Sequence, residues 1–303
     1  MMRKRTAAGV AVVLTGLGVT AAGGGRELLR RQAAIARHRI GKPLGEDAID
    51  ADRTWKKSYG DPLRLLVLGD SIAAGLGAER RKDTLGGRLA RGLAKELHRS
   101  VELRTGAVVG SESSALASQL DGLPPSYRPD VAVIVVGGND VTHRVPVGES
   151  VGHLEQAILR LRAIGAEVVV GTCPDLGALR DVPQPLRSLG SRMSRQLAVA
   201  QRQAAVRGGA HAVALAHVVG PFFITNPDEM FSLDRFHPSA LGYKRTAKAL
   251  LPSVLIALGM NDEVPFGHHV PAEVRRQALR SSLRNPLRKG GAREQPNDVD
   301  RRC

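Results

Sequence analysis

Between Pro62 and Gly259 the chain alternates short apolar runs with stretches whose apolar positions recur at helical spacing. The runs are Leu63–Leu68, Val101–Val109 (interrupted), Val131–Val136, Val168–Val170 and His211–Val219. Unbroken Val, Leu and Ile segments of this length fit strands buried on both faces. Amphipathic stretches at Leu85–His98, Ser113–Leu120, Val151–Ile164 and Leu186–Val206 separate them, and Ala240–Leu258 closes the set. Ser150 is placed to cap the third helix and Gly165 to stop it. This order predicts an α/β fold, a parallel sheet of about five strands joined by right-handed crossovers. Sites in such sheets lie beyond the carboxyl ends of the strands. The residues to inspect are therefore Gly69-Asp70-Ser71, Gly110, Gly137-Gly138-Asn139-Asp140 and Thr172-Cys173-Pro174-Asp175.

The apolar content is 43%, enough for a substantial core, but aromatic residues are only 3%, so that core must be built from Ala, Val and Leu. Two cysteines, Cys173 and Cys303, offer neither a disulfide framework nor a metal-ligand spacing. The net charge of +15 is uneven: +7 in residues 1–60, +5 in 271–303 and only +3 in the long middle. A nearly balanced core argues against nucleic-acid binding, and the basic flanks fit an anionic membrane surface. Arg3-Lys4-Arg5 followed by the uncharged run Thr6–Ala22 has the layout of a signal peptide or, if uncleaved, a membrane anchor, which predicts export to the cell envelope. From Pro271 onward no apolar face of useful length exists, and a largely disordered tail is expected, with at most a short helix at Ala272–Leu283.

Three chemistries can follow a strand that ends in Gly69-Asp70-Ser71. A phosphate loop needs a lysine within a few residues, and none occurs before Lys82. A dinucleotide fingerprint is weak because Glu79-Arg80 follow Gly75-Leu76-Gly77-Ala78, where a third small residue is required. A serine nucleophile needs a base to take its proton and a carboxylate to orient that base. His237 has Asp234 three residues before it, a spacing that a turn can close. An oxyanion then needs donors: the Ser71 backbone N–H, a second N–H at Gly110 and the Asn139 amide all sit at strand ends.

These segments resemble, in order and spacing, the four blocks of the SGNH or GDSL hydrolases: GDSIAAG (69–75), the Gly110 turn in AVVGSES, GGND (137–140) and DRFHP (234–238). The resemblance spans about 61–258. It implies a flavodoxin-like three-layer sandwich with strand order 2-1-3-4-5. Ser71 would be the nucleophile, Asp234 and His237 would complete the triad, and Ser71, Gly110 and Asn139 would form the oxyanion hole. Thr105 and Glu112 depart from the second block, which leaves Gly106 as the alternative to Gly110. Asp70 and Asp140 read as hydrogen-bonders of their turns, His143 as a solvated loop residue with substrate contact as the alternative, and Cys173 as a small buried or rim residue.

The chain then divides into a signal peptide or anchor (1–25), a basic linker (26–60), the hydrolase domain (61–260) and a basic tail (261–303). The implied reaction is hydrolysis of a carboxylic ester, small or lipid-like, through an acyl-enzyme and without cofactor or metal. A glycan O-deacetylase or acyltransferase with the same triad is the alternative within this chemistry, and a non-catalytic envelope or polymer-binding protein is the alternative outside it. Four of the five phenylalanines fall in 222–236. Phe222, Phe223 and Phe231 are therefore candidates for a wall that receives the acyl chain, with packing beneath the loop as the other possibility.

Overall fold

A computed structural model describes residues 24–271 except 42 and 46. The expected signal or anchor segment and the tail helix at 272–283 lie outside the described residues. Five parallel strands form the centre of the sheet: β2 (Leu63–Gly69), β3 (Val101–Thr105), β4 (Val131–Val135), β5 (Glu167–Gly171) and β6 (His211–Val213). Their spatial order β3-β2-β4-β5-β6 is the expected 2-1-3-4-5. Two edge strands were not expected. β1 (Arg53–Trp55) pairs antiparallel with β3, and β7 (His268–His269) pairs antiparallel with β6, giving a mixed seven-stranded sheet.

Side chains alternate between two buried faces along each central strand. Leu65 and Val67 join one cluster with Leu89, Leu93, Leu250 and Val254, whereas Leu66 and Leu68 join another with Leu154, Ile158 and Leu161. The first cluster is covered by α3 (Leu85–Leu97) and α11 (Ala240–Ala257), the second by α4 (Leu116–Asp121), α6 (Val147–Ala163) and α7 (Leu186–Arg207). Both faces being covered is why the strands read as unbroken apolar runs. Each fully buried leucine contributes about 1.5–3 kcal/mol relative to exposure, so an aromatic-poor core suffices. Tyr243 is the largest fully buried side chain; its hydroxyl donates to the Leu76 carbonyl at 2.7 Å and ties α11 to the turn after β2.

Three expectations need correction. The apolar run 211–219 is strand only as far as Val213 and then turns into the short helix α8 (Leu215–Val218). Ser150 does not cap α6, which begins at Val147 after Pro146; it lies buried in the first turns and shares a hydrogen bond with Ser113 at 3.0 Å. The expected domain limits are too narrow: in 26–60 the chain is helical to residue 40 (24–40, α1) and β1 belongs to the sheet, and in the expected tail 261–303 the strand β7 does too. Gly165, with φ +84, does follow the end of α6. Among the described residues no helix is long and apolar enough to cross a membrane.

The strand ends are closed by side chains. Gln119 on α4 accepts the Gly69 N–H at 2.9 Å and donates to the Gly69 carbonyl at 2.8 Å. Gln201 on α7 accepts the Cys173 N–H at 2.7 Å and donates to the Val136 carbonyl at 3.0 Å. Gly69 itself runs at φ +131, and a Cβ there would sit 1.8 Å from the Val135 carbonyl oxygen. Gly69→Ala should therefore destabilise by about 3 kcal/mol or more, the sum of steric overlap and backbone strain. Gly152→Ala, within α6 and with nothing within 4 Å of the new methyl, should stabilise by up to about 1 kcal/mol. Urea melts of the two variants against the parent check both signs.

Candidate active site

β2 delivers the chain to a sharp turn. The Asp70 N–H donates to the Val135 carbonyl at 3.1 Å, and Asp70 then caps the short helix α2 (Ser71–Ala74) by accepting the Ile72 N–H at 3.0 Å. Its carboxyl is buried, and burial pushes its pKa up to about 6 against the opposing pull of the Ile72 N–H, His237 and the Gly138 N–H. Asp70 is thus a hydrogen-bonder of the turn, as its place in the sequence indicates. Ser71 opens the helix and is 6% exposed. Its N–H has no partner among the described residues.

The second part of the site is the tight turn 231–238, closed by a bridge between Phe231 and Pro238. One Asp234 oxygen accepts the backbone N–H groups of Phe236 and His237 at 3.0 and 2.9 Å, which winds the turn around the carboxylate. The other oxygen meets His237 Nδ1 at 2.5 Å, and His237 Nε2 lies 2.9 Å from Ser71 Oγ. With Asp234 ionised, Nδ1 carries the proton and the Nε2 lone pair faces the serine hydroxyl. Burial alone would raise the Asp234 pKa, but the hydrogen bonds from the His237 ring and from both backbone amides outweigh it and hold the carboxyl below its ordinary value. Ser239 caps α11 directly behind, accepting from Leu241 and Gly242 N–H. The turn after α2 packs so closely on this loop that a Cβ at Gly77 (φ +98) would meet the Pro238 carbonyl oxygen at 2.6 Å.

Asn139 stands in the first turn of α5 (Gly138–His143), entered through Gly137 at φ +131. Its Nδ2 donates to the Ser111 carbonyl at 2.9 Å, which leaves the second amide hydrogen for the cleft that Asn139, Gly138, Ser71 and His237 line together. Gly110 is not in that lining. It is exposed one residue before Ser111 at φ +82, and its N–H has no partner among the described residues. Gly106 is ruled out as a donor because its N–H already donates to the Val67 carbonyl at 2.9 Å.

The Asp-x-x-His spacing also occurs at Asp140 and His143, but there it lies on a helix and joins nothing. The Asp140 carboxylate accepts the Ser113 N–H, while His143 pairs with Glu112 at 2.7 Å. Geometry separates two pairs that spacing alone does not.

Beside the serine the cleft opens into an apolar cavity of about 80 Å³. Phe223 and Phe231, edge to face at 4.9 Å, form part of its wall, with Phe236, Leu176, Leu179, Leu215 and Val219. Phe222 is not part of the wall. It faces out from α9 (Gly220–Thr225) beneath the Arg245 guanidinium, 4.5 Å from the ring centre. One residue of displacement on a helix turns a side chain by about 100°, so neighbouring phenylalanines cannot share one face. Leu176 and Leu179, just past the end of β5, were missed because they belong to no apolar run. Cys173 is fully buried, and burial pushes its thiol well above its usual pKa. Among the described residues no group of three or more His, Cys, Asp or Glu is placed to hold a metal ion.

The depressed Asp234 pKa fixes the sign of one pH effect. A carboxylate whose folded pKa lies below its unfolded value contributes stability above the unfolded value and loses it as pH falls through the folded one. Asp234 therefore stays charged under mildly acidic conditions. Asp234→Asn should lower kcat by about 10³- to 10⁴-fold throughout the pH range in which Asp234 is charged, since it removes the group that orients the Nδ1–H tautomer. A kcat/KM–pH profile of the variant beside the parent checks this.

Similarity to known proteins agrees with this geometry. A sequence model of the GDSL-like lipase/acylhydrolase family matches residues 67–245, which contain every block described above. A GDSL-like esterase of Mycobacterium tuberculosis is 36% identical over 285 residues, covering 87% of this chain and 90% of that one. Among solved structures, a lipase from a goat rumen metagenome superposes with a TM-score of 0.53 at 19% identity, covering 63% of this chain and 97% of the other. A lipase/acylhydrolase from Enterococcus faecalis gives 0.52 at 21% identity, covering 67% and 100%. The chain belongs to the GDSL-like lipase/acylhydrolase family and is a carboxylic ester hydrolase.

Proposed function

We propose that Ser71, His237 and Asp234 carry this hydrolysis through an acyl-enzyme, and that the preferred esters bear short apolar acyl groups. The observation that carries the reading is the unbroken chain Asp234–His237–Ser71 at the mouth of the apolar cavity. In the first half, His237 Nε2 takes the Ser71 hydroxyl proton as Oγ bonds to the ester carbonyl carbon. Negative charge develops on the carbonyl oxygen, where the Ser71 N–H and the Asn139 amide are donors beside the cleft. Gly110, whose N–H is unpaired, is the third donor if the 106–112 loop turns it inward around substrate. The C–O bond to the alcohol then breaks and the alcohol leaves with the proton from His237. In the second half, water gives a proton to Nε2 and attacks the acyl carbon; Ser71 Oγ departs, recovers the proton, and the free acid is released. Preorganised donors in a water-poor site supply most of the barrier lowering in such reactions.

Cavity size and lining support the substrate class. A cavity of about 80 Å³ is roughly half the ~150 Å³ that accepts benzene in an engineered protein core, which suits a few methylene groups. Apart from the reacting groups and Asp70, the polar side chains in the wall are already engaged. Asp175 accepts from Gly177 and Arg195, and Thr246 donates to the Gly242 carbonyl. A glycan would find few free partners there, which favours simple esters over a polysaccharide.

An envelope location and contact with an anionic membrane surface remain part of this proposal. The basic-then-apolar segment 3–22 supports it, and so do the exposed Arg26, Arg30, Arg31 and Arg37 on α1. Cell fractionation would check it, the prediction being recovery of the protein with envelope rather than cytosolic markers.

Ser71→Ala should reduce kcat on p-nitrophenyl butyrate by about 10³-fold or more while the fold is kept. Phe223→Ala should enlarge the cavity and raise the octanoate-to-butyrate ratio of kcat/KM about tenfold, whereas Phe222→Ala should leave that ratio within about twofold. Steady-state kinetics on an acetate-to-octanoate series checks all three.

A further inference from the structure

Among the described residues, α1 makes its hydrogen bonds to other elements at residues 181–186, which follow the stretch that lines the cleft. Its less exposed positions, Leu29, Gln32, Ala33, Ala36 and Ile40, recur at helical spacing and define one docked face. Gln32 is 7% exposed, unusual for a glutamine on a peripheral helix. Both ends of its amide are used: Nε2 donates to the Gln184 carbonyl, and Oε1 accepts the Leu186 N–H at 3.0 Å. Leu186 is the first residue of α7, and Pro185 before it supplies no side-chain cap. Gln32 thus satisfies, from 154 residues away, an amide that every helix start leaves open. Arg39 adds a bond from Nη1 to the Asp181 carbonyl at 3.3 Å.

The segment held in this way, 176–187, connects to the site. Leu176 and Leu179 line the acyl cavity at its beginning. Arg180 Nη2 donates to the Ile224 carbonyl at 2.8 Å, next to Phe223. Asp181 faces Arg235, inside the turn 231–238, at 3.7 Å, a long pair with an exposed arginine and too weak to move the turn itself. The segment is therefore fixed to α1 at one end and forms cavity wall at the other.

We propose that Gln32 is a positioning residue for acyl selectivity. By pinning Gln184 and Leu186 it sets how closely Leu176 and Leu179 approach the acyl chain, so a residue ahead of the first strand tunes which ester is preferred. This rests on the ester-hydrolase reading of Ser71 and its cavity. Acetyl esters end too near the serine to feel that wall; longer acyl groups reach it. The role is uniform binding of the chain, which acts on KM rather than on kcat.

The test uses the full chain with Gln32→Met, close in length but unable to hydrogen-bond, and Gln32→Glu, which keeps the acceptor for Leu186. In Gln32→Met, KM for p-nitrophenyl hexanoate should rise about fivefold with kcat within about twofold, and the acetate KM should stay within about twofold. Gln32→Glu should recover part of the hexanoate effect. Hydrogen exchange provides a readout that needs no substrate: the Leu186 amide should exchange at least about tenfold faster in Gln32→Met, with the amides of β4 unchanged. Unaltered Leu186 exchange would overturn the docking of Gln32. Accelerated exchange with an unaltered hexanoate-to-acetate ratio would overturn its positioning role. Because exchange is independent of turnover, a failure of the ester reading is distinguishable from a failure of the Gln32 docking.

Discussion

The catalytic end of this protein depends on how buried parallel strands are brought to a stop. Where β2 leaves the ladder, the backbone groups of Gly69 still need partners, and an unpaired buried amide or carbonyl costs about 1–3 kcal/mol. Gln119 bonds both from one side chain, the Val108 N–H adds a second donor to the Gly69 carbonyl, and the Asp70 N–H reaches Val135 on the opposite side. Gln201 performs the matching task between β4 and β5. These bonds fix the point from which Ser71 and, at the end of the neighbouring strand β4, Asn139 project. The absence of a side chain at Gly69 is part of the same constraint, because β4 passes where a methyl would lie.

On that rigid base the site is electrostatically divided. Asp234 is wrapped by three donors and kept ionised, so it can orient His237 and, in the proposed mechanism, stabilise the imidazolium formed during proton transfer. Asp70 lies deeper, with fewer donors, and burial moves its carboxyl in the opposite direction. Two carboxylates near one serine thus differ because one has a full set of hydrogen bonds and the other does not. The cavity beside them is almost wholly apolar, which excludes water from the acyl side and strengthens each charged interaction.

Much of this was legible in the sequence, for identifiable reasons. Strands buried on both faces announce themselves as unbroken apolar runs, and the glycines that end them are forced by close backbone approach. Ser71, Asn139, Asp234 and His237, which the fold brings together, could be picked out because the proposed chemistry demands those residue types at strand ends and tight turns. The edge strands β1 and β7 were hidden because three residues including Arg53, and two histidines, carry no pattern of their own; pairing with β3 and β6 makes them strands. Phe222 was misassigned because composition cannot say which way a helix faces. Gln119, Gln201 and Gln32 left no trace at all: a glutamine that serves distant backbone groups looks like any surface glutamine until the chain is folded. Similarly, Asp140 and His143 share the spacing of Asp234 and His237, and only the difference between helix and turn decides which pair meets.

The central claim is that an acyl group passes through Ser71, and trapping that intermediate tests it most directly. The enzyme would be mixed with p-nitrophenyl butyrate, quenched in acid within milliseconds, digested and read by mass spectrometry. The account predicts one butyryl group on the peptide containing Ser71, formed with a burst of p-nitrophenol and absent from Ser71→Ala. Butyryl on another residue, or full turnover with no acylated peptide and an active Ser71→Ala, would contradict it.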